Sequence, residues 1–140
     1  MKIGINIIKK KEKDTNNSTK IVIIDSKNRI LFLKRSKSVE KFKNSWDLPG
    51  GHIQQNESPE KGAIRELLEE TNLDIPNISF FSEQQKKKGI FYFFYARYNS
   101  MPIKLSDEHV DYRFLKKSQL SRKDKFQKVA LNVLEVFENE

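Results

Sequence analysis

Apolar and polar positions divide this chain into short runs. Ile21-Val22-Ile23-Ile24 and Ile30-Leu31-Phe32-Leu33 are unbroken apolar stretches with Ser26-Lys27-Asn28 between them, the pattern of a hairpin. Residues 2–9 read as an earlier strand, and the polar segment Lys10 to Lys20, with Asp14, Asn16, Asn17 and Ser18, reads as a loop. Residues 36–45 are polar and predict a second loop, and Trp46-Asp47-Leu48 predicts a short strand. Ile78 to Phe81 starts another strand, Gln84 to Gly89 is a basic hairpin turn, and Ile90 to Ala96 is apolar on both alternating faces. A strand of that kind is expected in the interior of a sheet covered on both sides, with most of its aromatics packed in the core. Ser106 to Lys116 holds a further strand, residues 117–121 connect, and Phe126, Val129, Ala130, Val133, Leu134 and Phe137 form the apolar stripe of a last helix.

Between these elements, Trp46 to Leu73 organises the rest. Pro49-Gly50-Gly51 makes a turn, and Ser58-Pro59-Glu60 opens a helix: serine caps it, proline suits its first position, and the glutamate meets the positive end of the helix dipole. The helix is predicted to run to about Thr71 and to end at Asn72, which tolerates a left-handed cap. Ile64, Leu67 and Leu68 form the expected buried stripe, flanked by Ala63 and Thr71. Glu66, Glu69 and Glu70 fall on the other side, where like charges repel. A solvated face is one outcome of such a pattern. The other is a site at which Arg65 neutralises one carboxylate and a hard divalent cation, Mg²⁺ or Mn²⁺, neutralises the rest. Gly62 lies one turn before Glu66 and is expected to leave room for a ligand.

The spacing decides between the two. Gly51, five residues, Glu57, seven residues, Arg65-Glu66-Leu67, one residue and Glu69-Glu70 resembles the Nudix box, with Leu67 and Leu73 at its two aliphatic positions. Asn72 stands where the family has glycine, and asparagine is expected to keep the same backbone turn. Helices flanking a mixed sheet imply an α/β/α sandwich, which is also the fold the resemblance implies, and the length fits a single domain over residues 1–140.

The composition changes this picture little. Hydrophobic residues make up 36% and charged residues 33% of the chain, as in a well-solvated globular domain. The absence of cysteine excludes disulfides, cysteine zinc sites and thiol catalysis. The apolar run at the start is too short for a signal peptide or a membrane span, so a cytoplasmic protein is expected. The formal net charge of +8 comes from dispersed lysines, apart from Lys9-Lys10-Lys11 and Lys86-Lys87-Lys88. No RNA-binding signature, zinc-finger spacing or repeat accompanies them.

The resemblance implies hydrolysis of a nucleoside diphosphate linked to a group X. Glu66, Glu69 and Glu70, with a carbonyl of the Gly50-Gly51 turn, would hold Mg²⁺ or Mn²⁺, and Glu66 or Glu69 would be the general base. Arg65 would orient the glutamates, with Glu57 tying the loop to the helix. Gly51, Arg35 and Glu108 are candidate substrate-binding residues. Glu108 precedes a Tyr-Arg-aromatic strand of a kind that many Nudix proteins carry after the box, as an added metal ligand or base. His52 and His109 are read as surface or edge-strand histidines rather than phosphate contacts. Three functions compete: a small-nucleotide pyrophosphohydrolase of the MutT type, an enzyme that trims or decaps an RNA 5′ end, and a binding scaffold without hydrolysis.

Overall fold

The computed structural model describes residues 14–36 and 45–138. The strand expected over residues 2–9 and most of the loop expected over residues 36–45 lie outside these. The elements are β1 (Asp14–Ile24), β2 (Ile30–Arg35), β3 (Trp46–Asp47), β4 (Gly50–Gln54), α1 (Pro59–Thr71), β5 (Ser79–Gln85), β6 (Ile90–Arg97), β7 (His109–Leu115), a 3₁₀ turn (Lys117–Gln119) and α2 (Lys125–Glu138).

Among the described residues, seven strands form one mixed sheet. β1 pairs in parallel with β6 on one side, while its other side pairs antiparallel with β4 and, at Ile24↔Ile30, with β2. β6 runs between β1 and β5, the interior position expected of its apolar sequence. β7 pairs antiparallel with β2, and Arg35 faces His109 in that register.

The pleat of β1 splits its apolar run between two cores, because successive side chains point to opposite faces. Ile21 and Ile23 pack with Ala63 and Leu67 of α1, and Val22 and Ile24 pack with Ala130, Val133 and Leu134 of α2. The sheet therefore lies between two helices as an α/β/α sandwich. Burial of this kind stabilises by roughly 25 cal/mol per Å² of apolar surface. Among the described residues, no helix is long and apolar enough to cross a membrane.

Two sequence expectations fail here. The polar segment before Ile21 is mostly strand, not loop: β1 begins at Asp14, and Ser18, Thr19 and Lys20 are buried. Neighbouring strands on both sides take up its backbone groups, so polar side chains do not break it. On α1, Leu68 is 42% exposed and Ile64 is only half-buried, while Gly62, Ala63, Leu67, Glu70 and Thr71 are buried. The helix is rotated so that one of its glutamates, rather than a second leucine, faces the sheet. Its ends follow the sequence: Ser58 Oγ accepts from the Lys61 N–H at 3.1 Å, and Asn72 closes the helix at φ 64° with its N–H on the Leu68 carbonyl.

Candidate active site

Two glycines bring strand and helix together. Gly50 has φ +150°, and a Cβ there would collide with the Thr19 carbonyl and lie 2.9 Å from the Lys20 Cα. Its N–H donates to Glu70 Oε1 at 2.9 Å, so the observed contact of this turn with the acids is through the amide. At Gly51 a Cβ would lie 2.5 to 2.8 Å from the carboxylate of Glu66. Glycine at both positions lets Glu70 and Glu66 pack directly against β4. Gly62 serves the scaffold rather than a ligand: a Cβ there would meet Glu57 Oε1 at 3.2 Å and Ile53 at 3.4 Å.

Arg65 is the hub of the helix face. Its Nε donates to Glu57 Oε2 at 2.7 Å and its Nη2 to Glu57 Oε1 at 3.0 Å, a bidentate pair. Nη1 reaches Glu66 at 3.2 Å and Glu69 at 3.1 Å, and Nη2 also reaches the His52 carbonyl at 3.1 Å. Glu57 accepts from the Gln54 N–H as well, which ties the loop to the helix. The Arg65 hydrogen bonds hold the Glu57 carboxyl below its ordinary range.

The three box glutamates have unlike surroundings. The Glu69 side chain is 56% exposed and is drawn to Arg65. Glu66 is mostly covered, and burial raises its carboxyl against the opposing pull of Arg65. Glu70 is buried, and desolvation pushes its carboxyl up to about 8, offset in part by the Gly50 N–H and Lys20. Among the described residues, the acid and imidazole groups whose ligand atoms all lie within 4.8 Å of one another are Glu70, Glu108 and His109, rather than Glu66, Glu69 and Glu70. Glu108, from the loop ahead of β7, thus joins the box across the fold. Its carbonyl accepts from the Ser36 N–H, and the Ser106 N–H of the same loop donates to the Glu70 carbonyl.

His109 lies on β7, which among the described residues pairs with β2 alone, so the edge-strand reading holds and the surface reading does not. It is 6% exposed, its Nδ1 is buried without a hydrogen-bond partner, and burial lowers its imidazole to about 4, helped by the Arg35 charge. It is therefore a neutral imidazole beside two carboxylates, able to act as a nitrogen ligand. Its burial follows from pairing opposite Arg35, which local sequence does not report. His52 is exposed, in keeping with a surface histidine. A divalent cation fits this set: carboxyls held against their charge gain from a cation, and oxygen donors suit Mg²⁺ or Mn²⁺.

Glu66, Glu69, Glu70 and Glu108 line a cavity of about 750 Å³ that also takes in Arg35, Lys20, Lys86, Phe91 and Lys125. Arg35 is half-buried at the end of β2, and its Nε is buried without a partner. Lys20 pairs with Asp47 at 2.8 Å. Sequence reasoning missed Lys20 because it was assigned to a loop. Its place two residues before Val22, on the same pleat parity, is the signal that was available.

Comparison with known proteins agrees with this geometry. A family model described as NUDIX domain matches residues 14–137. A MutT protein of Methanosarcina mazei Go1 has a similar structure, with a TM-score of 0.71 and 25% identity over 94% of this chain and 100% of that one. The 8-oxo-dGTP diphosphatase of Escherichia coli is 33% identical over 61 residues, 44% of this chain and 47% of that protein. An RNA pyrophosphohydrolase of Pasteurella multocida is 45% identical over 53 residues, 38% of this chain and 24% of that protein. The m7GpppN-mRNA hydrolase NUDT17 of Xenopus laevis is 40% identical over 60 residues, 42% of this chain and 20% of that protein. The matches thus span between a fifth and a half of these relatives. With the box, the sandwich and a family match over nearly all the described residues, the chain belongs to the NUDIX family.

Proposed function

We propose that residues 1–140 form one domain that hydrolyses a phosphoanhydride of a nucleoside diphosphate derivative, as a cytoplasmic, Mg²⁺- or Mn²⁺-dependent pyrophosphohydrolase. The observation that carries this reading is the meeting of Glu70 with Glu108 and the buried His109, where Glu66, Glu70 and Glu108 line one cavity. A buried carboxyl raised to about 8 costs stability unless a cation occupies the site, so the arrangement is explained by function rather than by folding.

Glu66, Glu69, Glu70 and Glu108, with a carbonyl of the Gly50-Gly51 turn, would hold the cation. Bound there, it would neutralise phosphate oxygens that otherwise repel the attacking water. Glu66, against Gly51 on the cavity wall, takes the proton from that water, in preference to the more exposed Glu69. Arg65 positions Glu66 and Glu69, and Glu57 fixes Arg65. Arg35, at the cavity edge, meets a substrate phosphate. The names of the relatives support two substrate classes, free nucleotides and RNA 5′ ends.

The test is a panel of nucleoside triphosphates, dinucleoside polyphosphates, ADP-ribose and 5′-triphosphate RNA, with Mg²⁺ or Mn²⁺ and with products identified. Cleavage of a phosphoanhydride, lost in Glu66→Gln with the fold intact, is expected. No cleavage of any member by folded protein would refute the proposal.

A further inference from the structure

The acids of this site differ in what already neutralises them. Glu66 and Glu69 share the Arg65 guanidinium, at 3.2 and 3.1 Å. Glu70 and Glu108 form no ion pair among the described residues, and Glu70 accepts from the Gly50 N–H instead. The group that stands with these two is not a third acid but His109. It is 6% exposed, and its Nδ1 is buried without a hydrogen-bond partner. A buried polar atom left unpartnered costs stability, so the ring is placed for a partner that the protein alone does not supply.

Backbone bonds fix the three donors in place. The Ser106 N–H donates to the Glu70 carbonyl at 3.1 Å, the His109 N–H to the Ser106 carbonyl at 3.2 Å and the Ser36 N–H to the Glu108 carbonyl at 2.8 Å. The last turn of α1, the loop ahead of β7 and the residue after β2 are thereby tied together. One ligand atom each from Glu70, Glu108 and His109 lies within 4.8 Å of the other two. Donors at about 2.1 Å from a common ion are at most about 4.2 Å apart, so a small side-chain movement closes the set. Its chemistry is mixed. Mg²⁺ takes oxygen ligands and keeps several waters, so a ring nitrogen adds little for it. Imidazole suits first-row transition ions, whose affinity for a nitrogen and oxygen site rises from Mn²⁺ to Co²⁺.

We propose that His109 supplies a nitrogen ligand beside the Glu70 and Glu108 carboxylates, so that this site selects a first-row transition ion over Mg²⁺ and the ion holds the loop ahead of β7 against α1. A catalytic use of that ion rests on the hydrolytic reading above. The ligand set does not.

The chain has two histidines, so a ring nitrogen on the metal has two sources. The other is His52, exposed on β4 and lining the cavity. The experiment uses the full chain without a histidine tag, free of nucleotide, as wild type, His109→Gln and His52→Gln. Electron spin-echo spectra of bound Mn²⁺ should show nitrogen modulation in wild type and His52→Gln and none in His109→Gln. Calorimetry should rank Co²⁺ above Mn²⁺ and Mn²⁺ above Mg²⁺ for wild type. In His109→Gln the Mn²⁺ and Co²⁺ affinities should fall by roughly tenfold or more, and that for Mg²⁺ by less than about threefold. A wild-type spectrum without nitrogen, no Mn²⁺ binding, or Mg²⁺ bound as tightly as Mn²⁺ would overturn the proposal without need of a variant. Nitrogen modulation kept in His109→Gln, or equal weakening of all three ions there, would overturn it as well. Spectra as expected from a chain that cleaves no phosphoanhydride would leave the ligand set standing and remove the hydrolytic function.

Discussion

Glu70→Gln should make the metal-free protein more stable at alkaline pH. In the unfolded chain Glu70 loses its proton near the ordinary 4.5, while in the fold burial pushes its carboxyl up to about 8. Between those values the folded state binds more protons than the unfolded state, so stability falls as pH rises. His109 works in the opposite sense. Its ordinary 6.5 is lowered to about 4 in the fold, so its contribution rises with pH up to about 6.5 and is then constant. The two slopes oppose each other below pH 6.5, and Glu70 dominates from there to about pH 8. One pH unit corresponds to about 1.4 kcal/mol, so metal-free wild type should lose about 2 kcal/mol across that window. For a domain of this size that is a drop of roughly 5 °C in Tm. Glutamine keeps a carbonyl for the Gly50 N–H and carries no charge, so the variant should show almost no slope. Urea denaturation in EDTA at several pH values from 6.5 to 8 measures this. Equal slopes for wild type and variant would show that Glu70 is not held protonated by burial, and the electrostatic account of the site would fail.

Millimolar Mg²⁺ or Mn²⁺ should raise the Tm of wild type at pH 8, with a gain of roughly 3 kcal/mol at a hundredfold excess over Kd. Differential scanning fluorimetry with and without EDTA checks this, and no shift would remove the cation from the site. Gly51→Ala places a methyl group within 2.8 Å of the Glu66 carboxylate, and turnover should fall by about a hundredfold while circular dichroism stays native. Arg65→Lys keeps the charge but loses the bidentate hold on Glu57. It should lower kcat by roughly tenfold or more, and a normal kcat would show that Arg65 does not position the acids. His109→Ala should weaken Mn²⁺ binding more than Mg²⁺ binding, because imidazole suits the softer ion. Titration with each metal followed by calorimetry would show equal losses if His109 is not a ligand.

Much of this protein was legible in local sequence. The start of α1 at Ser58-Pro59, its left-handed end at Asn72, the stripe of α2 and the β1–β2 hairpin all follow from capping, turn chemistry and periodicity, which act over a few residues. The spacing from Gly51 to Glu70 likewise announced an acidic helix packed on a glycine turn. What the sequence could not determine is which polar groups are buried, because burial depends on the strand or helix that arrives from elsewhere. Ser18, Thr19 and Lys20 look like loop residues until β4 and β6 flank them. Glu70 looks like Glu66 and Glu69 until β4 places an amide against it, and the edge-strand His109 looks like a surface residue until it is buried opposite Arg35. Lys20, Lys86 and Lys125 are far apart along the chain, and only the sandwich brings them to one cavity. Side-chain chemistry and short-range pattern are written along the chain. The electrostatic environment of each charge is set by long-range packing, and it was decided by the tertiary structure alone.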